Sequence, residues 1–136
     1  MKSTIAIVII LFLSFMFGGC LVDFFADVDV DEILSDTHIQ EVDLQTVDPG
    51  TYTGRHSAGL VEVVLQVTVQ NHEITAIQIR EHDNWRGKKA ECITDEVIWT
   101  QSVLVDAVSG ATISSMVILK SIENALREGM QEEQQQ

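Results

Sequence analysis

Ser109-Gly110-Ala111-Thr112 sets two hydroxyls around a glycine and an alanine directly ahead of a helical run, with Asp106-Ala107-Val108 before it and Ile113-Ser114-Ser115 after it. Thr112 falls at or just before the first turn of the helix. There the free backbone N–H groups and the positive end of the helix dipole favour a phosphate. Gly110 lets the backbone approach a phosphate closely and take positive φ, and Ser109, Ser114 and Ser115 offer further hydroxyl donors. A phosphodiester on the Thr112 oxygen would keep about one negative charge, which those donors can satisfy. On local chemistry alone a plainer role stands beside this one, in which Ser109 or Thr112 simply caps the helix.

The elements that must hold this tetrapeptide can be read from periodicity. Asp48-Pro49-Gly50-Thr51-Tyr52-Thr53-Gly54 is a turn entering a strand. Val63, Leu65, Val67 and Val69 alternate with Val64, Gln66, Thr68 and Gln70, the two-residue period of a strand with one buried face. Asn71-His72 follows, and then Ile74, Ala76, Gln78 and Arg80 alternate with Thr75, Ile77 and Ile79, which predicts a hairpin. After a polar loop, Glu81 to Gly87, the positions Ala90, Ile93, Thr94, Val97, Ile98 and Gln101 keep helical spacing, with Glu91, Asp95 and Glu96 facing away. Ser115, Ile118, Leu119, Ile122, Ala125 and Leu126 form the apolar face of a second helix. Its stop is expected near Arg127 to Gly129. The sum is a small α+β domain, a three-stranded antiparallel sheet with two helices against it, over residues 48–130.

At 136 residues with a net charge of −13 and a pI near 4.4, the chain has room for one small domain, and its charge excludes a nucleic-acid partner by repulsion. Two cysteines, Cys20 and Cys92, make no disulfide framework, and no Cys/His spacing points to a metal. Lys2, the apolar run from Ile5 to Phe17, and Gly18-Gly19 ahead of Cys20 resemble a bacterial lipoprotein signal, with Phe17 a departure from the usual lipobox. That assigns residues 1–19 to a signal peptide and Cys20 to lipidation. The alternative is an uncleaved anchor over Ile5 to Phe25, of nearly bilayer length. Both place the domain at a membrane on its extracytoplasmic face. Residues 20–47 hold eight acidic residues from Leu21 onward and no Lys or Arg. They read either as a tether spanning about 30 Å with one short helix, Asp31 to Asp36, or as a first element packed on the domain. The Gln/Glu tail, residues 131–136, reads as disordered.

Taken with Asp106 in front, the hairpin upstream and the helix behind, the Ser-Gly-Ala-Thr tetrapeptide resembles the flavinylation motif of the FMN-binding domain family, roughly Asp-Gly-x-Ser/Thr-Gly-Ala-Thr, departing from it at Ala107. The resemblance extends from about Val47 to Leu126, with Asp48 to Gly54 similar to the family's opening Asp-Gly-x-Tyr-x-Gly. It implies FMN held covalently by a phosphoester to Thr112, and transfer of that FMN from FAD by a separate Mg-dependent flavin transferase with release of AMP. Asp106 matches the motif's leading acid. The resemblance also implies an electron carrier whose partners are a membrane quinol- or NADH-linked oxidoreductase; the residues show no acid, base or nucleophile constellation for substrate turnover besides Thr112, and an enzyme using the flavin to reduce a small acceptor stays an alternative. Tyr52, Trp85 and Trp99 are candidates for stacking on the isoalloxazine. His82 lies near where the family places a polar residue beside the flavin. Arg86, Lys88 and Lys89 sit within four positions, to meet the phosphate, a redox partner or only solvent. His38, His56 and His72 show no ligand spacing, and Cys92 reads as a small buried residue of the first helix. Two other classes remain open: a module binding flavin reversibly, and a structural or regulatory lipoprotein whose motif is unused.

Overall fold

The computed structural model of the chain describes residue 35 and residues 37–83 and 87–131. The expected signal segment, Cys20, most of the Asp31 to Asp36 helix, Trp85, Arg86 and residues 132–136 lie outside the described residues. The valine-rich segment forms the middle strand, β2 (Val61–Gln70), of a three-stranded antiparallel sheet flanked by β1 (Gly50–Ala58) and β3 (Glu73–Asp83). Two helices follow, α1 (Ile93–Thr100) and α2 (Thr112–Gln131). This is the α+β architecture that the sequence predicts.

Val63, Leu65, Val67 and Val69 are fully buried, so β2 carries one complete face of the core, each such side chain contributing about 1.5–3 kcal/mol. The β2–β3 turn is the two-residue Asn71-His72, with φ of 52° and 61°, the pattern of a type I′ turn. The His72 Nδ1 sits 3.2 Å from the Leu44 carbonyl oxygen, a contact that helps hold a residue poorly suited to positive φ.

β3 departs from strict alternation. Register shifts between Val64 and Leu65 and between Thr68 and Val69 leave Arg80 and Thr75 as extra residues on β3. Such bulges reset the face on which later side chains fall. Ile74, Ile77, Ile79 and His82 therefore stand opposite Val69, Val67, Leu65 and Val63, all on the core face. A two-residue period would have split Ile74 from Ile77 and Ile79. The polar loop expected from Glu81 also begins later, because β3 runs to Asp83.

Against the core face lies α2, about 30 Å long. Its contact with β1 is close at Gly54, where an added Cβ would stand 1.8 Å from the Ser121 carbonyl oxygen and 2.9 Å from the Ala125 Cβ. Ile118, Leu119, Ile122, Ala125 and Leu126 are buried as the spacing predicts, and so is Ser115. The expected stop at Arg127 to Gly129 is overturned, since the helix continues to Gln131. Gly129 answers a packing need instead, for a Cβ there would lie 2.7 Å from the Tyr52 ring. Tyr52 is in turn fixed by its hydroxyl, which donates to the Asp48 carbonyl at 2.8 Å.

The first helix is also shorter than its periodicity suggests. Residues Gly87–Cys92 form a 3-10 turn, and α1 begins only at Ile93. Ala90, Ile93, Thr94 and Val97 are buried as expected. Cys92 is exposed rather than buried, because the tighter turn rotates it outward, with Sγ 3.0 Å from the Lys89 carbonyl oxygen. α1 ends at Gln101, in left-handed conformation with φ 56°. The Gln101 amide accepts from the Ile74 N–H at 2.7 Å and donates to the Ile74 carbonyl at 3.0 Å, tying the end of α1 to the start of β3.

Of the acidic stretch at 20–47, the described part from Thr37 to Val47 packs along α2, with Thr37, Val42 and Val47 buried. Glu123, 1 % exposed, anchors it: one carboxylate oxygen accepts from the Gln40 N–H at 3.0 Å and from Lys120 Nζ at 2.9 Å, and the other from Arg127 Nε at 2.7 Å. Burial alone would raise the Glu123 pKa, but the bonds from Lys120, Gln40 and Arg127 outweigh it and hold the carboxyl below its ordinary value. Lys120 Nζ also reaches the His38 carbonyl, and Arg127 the Gln40 side chain.

Candidate functional site

Leaving Gln101, the chain passes through residues 102–108, anchored by buried Val103 and half-buried Val105 and Val108, while Leu104 and Asp106 face solvent. Val108 to Ala111 then form a β-turn, closed by the Ala111 N–H donating to the Val108 carbonyl at 3.0 Å. Gly110 occupies the third position with φ +79°, the value that a type II turn requires there and that favours glycine. A Cβ on Gly110 would meet no atom within 4 Å, so the space above this peptide is open.

The first helical bond of α2 runs from the Ser115 N–H to the Ala111 carbonyl at 2.9 Å. Ala111 is thus the capping residue, and it has no side-chain oxygen with which to cap. Thr112, Ile113 and Ser114 are the first three helical residues, and among the described residues nothing accepts from their N–H groups. Among the described residues neither the Ser109 nor the Thr112 hydroxyl makes a hydrogen bond that caps the helix. Ser109, Gly110 and Thr112 are exposed, Ala111 is 8 % exposed and Ser114 is buried. Ser115 is fully buried and its hydroxyl is committed: it donates to the Ala111 carbonyl at 2.8 Å and accepts from the Val108 N–H at 3.0 Å. Asp106 is exposed, six residues ahead of Thr112.

Which other residues share this end of the domain follows from the direction of α2. Gly129 meets Tyr52, and Ser121 with Ala125 meets Gly54, so α2 runs opposite to β1. Ser121 Oγ also lies 3.4 Å from the Val63 carbonyl, and Val63 pairs with His82. Thr112 is nine residues earlier on α2, at the end where β1 turns into β2 and β3 finishes. His82 belongs to that end. Its side chain is 3 % exposed, and Nδ1 lies 3.1 Å from a Glu91 carboxylate oxygen, which fixes the ring. The 3-10 turn carrying Glu91 packs against α2 and presents Lys88 and Lys89 to solvent, neither of them ion-paired among the described residues.

Tyr52 is held elsewhere. Its ring lies at Gly129, about 25 Å along α2 from Thr112, with its hydroxyl on Asp48. Trp99 is 89 % exposed near the end of α1, close to Gln101 and the start of β3, likewise far from Thr112. Glu91 was the residue missed in the sequence, because helical spacing pointed it away from the core while the 3-10 turn brings it to His82. His56 lies on β1 beside Thr37.

The end around Thr112 therefore combines an exposed hydroxyl, three backbone donors without an acceptor among the described residues, and an open approach over Gly110. Those groups fit a phosphate monoanion, and the hydroxyl can itself become an ester oxygen. Among the described residues no group of three or more His, Cys, Asp or Glu side chains could hold a metal ion, and no helix is long and apolar enough to cross a membrane. A comparison with protein families matches residues 59–127 to a family described as FMN-binding domain, a span from the β1–β2 turn through most of α2. Comparisons with curated proteins and with solved structures find no match.

Proposed function

Since this chain belongs to the FMN-binding domain family, and is a flavin-binding protein on that ground, we propose that it is a membrane-tethered, extracytoplasmic electron carrier holding FMN through a phosphoester to the Thr112 oxygen. The single observation that carries the attachment is the start of α2. An exposed Thr112 hydroxyl stands beside three N–H groups that nothing caps among the described residues. A Ser or Thr cap would take up one of these donors and leave fewer to meet an anion.

Within this reading each residue has a task. Thr112 supplies the ester oxygen, and the N–H groups of Ile113 and Ser114 meet the phosphate charge. Gly110 keeps the approach clear, and Lys88 and Lys89 add positive potential in an otherwise acidic protein. His82, steadied by Glu91, is the polar side chain at the flavin end. Asp106, exposed ahead of the turn, is available to the flavin transferase, for which this chain is the substrate. FMN supplies one- or two-electron exchange, and its covalent attachment keeps it with the chain. The lipoprotein-type start with Cys20 supports membrane tethering, and a flavin held by one small domain supports a carrier that serves a quinol- or NADH-linked oxidoreductase.

The test is coproduction with a Mg-dependent flavin transferase, followed by denaturing electrophoresis. The intact protein is expected to fluoresce in the gel and Thr112→Ala to be dark. A fluorescent Thr112→Ala band would refute the attachment site, and colour lost to the supernatant on acid precipitation would indicate reversible binding instead.

A further inference from the structure

The hydroxyl of Ser115 is not a phosphate ligand, and we propose that it is the positioning residue that holds the Val108–Ala111 turn in the shape from which Thr112 accepts flavin phosphate, an inference that rests on the attachment proposed above. A serine hydroxyl has one proton and two lone pairs. Here the proton is spent on the Ala111 carbonyl at 2.8 Å and one lone pair on the Val108 N–H at 3.0 Å, in a side chain with no exposure to solvent. No proton is left for a ligand.

What the hydroxyl does is join both ends of one turn. Val108 opens the turn and Ala111 closes it, and between them Gly110 is held at φ +79°. Without the hydroxyl oxygen, the Val108 N–H loses its only partner among the described residues, and the turn is left with a single bond, from Ala111 to Val108. Thr112 follows Ala111 directly, so loosening the turn spreads the directions from which its oxygen and the adjoining N–H groups can be met. Misplacing a reacting group by about 1 Å lowers a rate by about a hundredfold.

Ser121 provides a matched control. It lies on the same helix, is equally buried and donates to a carbonyl four residues back, that of Val117, at 2.8 Å. Its oxygen also lies 3.4 Å from the Val63 carbonyl on β2, and among the described residues it makes no hydrogen bond to the turn. Ser115→Ala and Ser121→Ala therefore remove the same kind of helix bond, and only the first removes the clamp.

Two measurements on the purified proteins test this. In the unflavinylated state, amide hydrogen exchange at Val108 and Ala111 is expected to speed up in Ser115→Ala and to stay at the wild-type rate in Ser121→Ala. With purified transferase, FAD and Mg ions, the initial rate of flavin incorporation, followed by intact mass, is expected to fall about ten- to a hundredfold in Ser115→Ala and to be unchanged in Ser121→Ala. Ser115→Cys, of similar volume and a weaker acceptor, is expected to fall between them, and it carries the comparison should Ser115→Ala not fold. Wild-type incorporation by a folded Ser115→Ala, or equal slowing by Ser121→Ala, overturns the clamp while leaving attachment at Thr112 intact. A wild-type chain that takes up no flavin overturns the attachment, and the clamp with it.

Discussion

Replacing Glu123 with glutamine tests how the segment from Thr37 to Val47 is held to α2. An amide has one acceptor oxygen where the carboxylate has two. The orientation that keeps the most bonds leaves that oxygen on the Gln40 N–H and Lys120 Nζ and turns the NH2 toward Arg127 Nε, where two donors then face each other. The Arg127 bond is lost, the Lys120 bond keeps only its ammonium charge, and the Gln40 bond becomes neutral on both sides. Bonds to charged groups contribute about 1.5–3 kcal/mol and neutral ones about 0.5–1.5 kcal/mol. Arg127, 41 % exposed, recovers part of its loss by rehydration. The net expectation at pH 7 is a loss of about 2 kcal/mol, or about 10 °C in Tm for a domain near 100 residues. The effect must also depend on pH. The Glu123 carboxyl is held below its ordinary value of 4.5 in the folded protein, so the unfolded chain binds its proton more readily. The stabilisation is complete above that value and fades as pH falls through the folded one. Glutamine does not titrate. Urea unfolding of both proteins from pH 7 down to pH 3 should show a gap at neutral pH that narrows in acid. A gap that stays constant with pH, or no gap at pH 7, would refute the assignment of Glu123 as the charged anchor.

Gly54→Ala should be costly, because its Cβ would sit 1.8 Å from the Ser121 carbonyl oxygen and force α2 off β1; a loss of about 3 kcal/mol or more is expected in urea unfolding, and a variant as stable as wild type would contradict the close contact. Gly110→Ala meets no atom and should lose about 1–2 kcal/mol through left-handed strain alone, read as a Tm lower by several degrees. An unchanged or raised Tm there would count against the type II turn. Thr112→Ala removes an exposed side chain and should leave stability within about 0.5 kcal/mol of wild type by calorimetry on the flavin-free proteins, so that its loss of flavin cannot be ascribed to unfolding.

The parts of the fold that were legible in the sequence are those whose burial is regular. β2 alternates without interruption, and the α2 face keeps its spacing from Ser115 to Leu126, so both cores read correctly. β3 read less well because two bulges replace a steady period by steps of three, two and three between Ile74, Ile77, Ile79 and His82, and a bulge has no residue signature of its own. Gly129 was read as a helix stop because glycine commonly ends helices, whereas here it makes room for a ring from another element. Cys92 and Glu91 changed sides for one reason, the 3-10 geometry of their turn, which helical spacing does not anticipate. At the site, the hydroxyl and glycine of the tetrapeptide were legible from residue type. That Ala111 rather than Ser109 or Thr112 occupies the cap, and that the Ser115 hydroxyl is already spent, depend on hydrogen bonds that residue type alone leaves undetermined.

Tryptic digestion of the protein isolated from cells that mature it, followed by fragmentation of the peptide Ala90–Lys120, asks the central question most directly. That peptide is expected to carry the mass of FMN less one water, localised to Thr112. The same peptide recovered wholly unmodified, or with the flavin on Ser109, Ser114 or Ser115, would contradict the account.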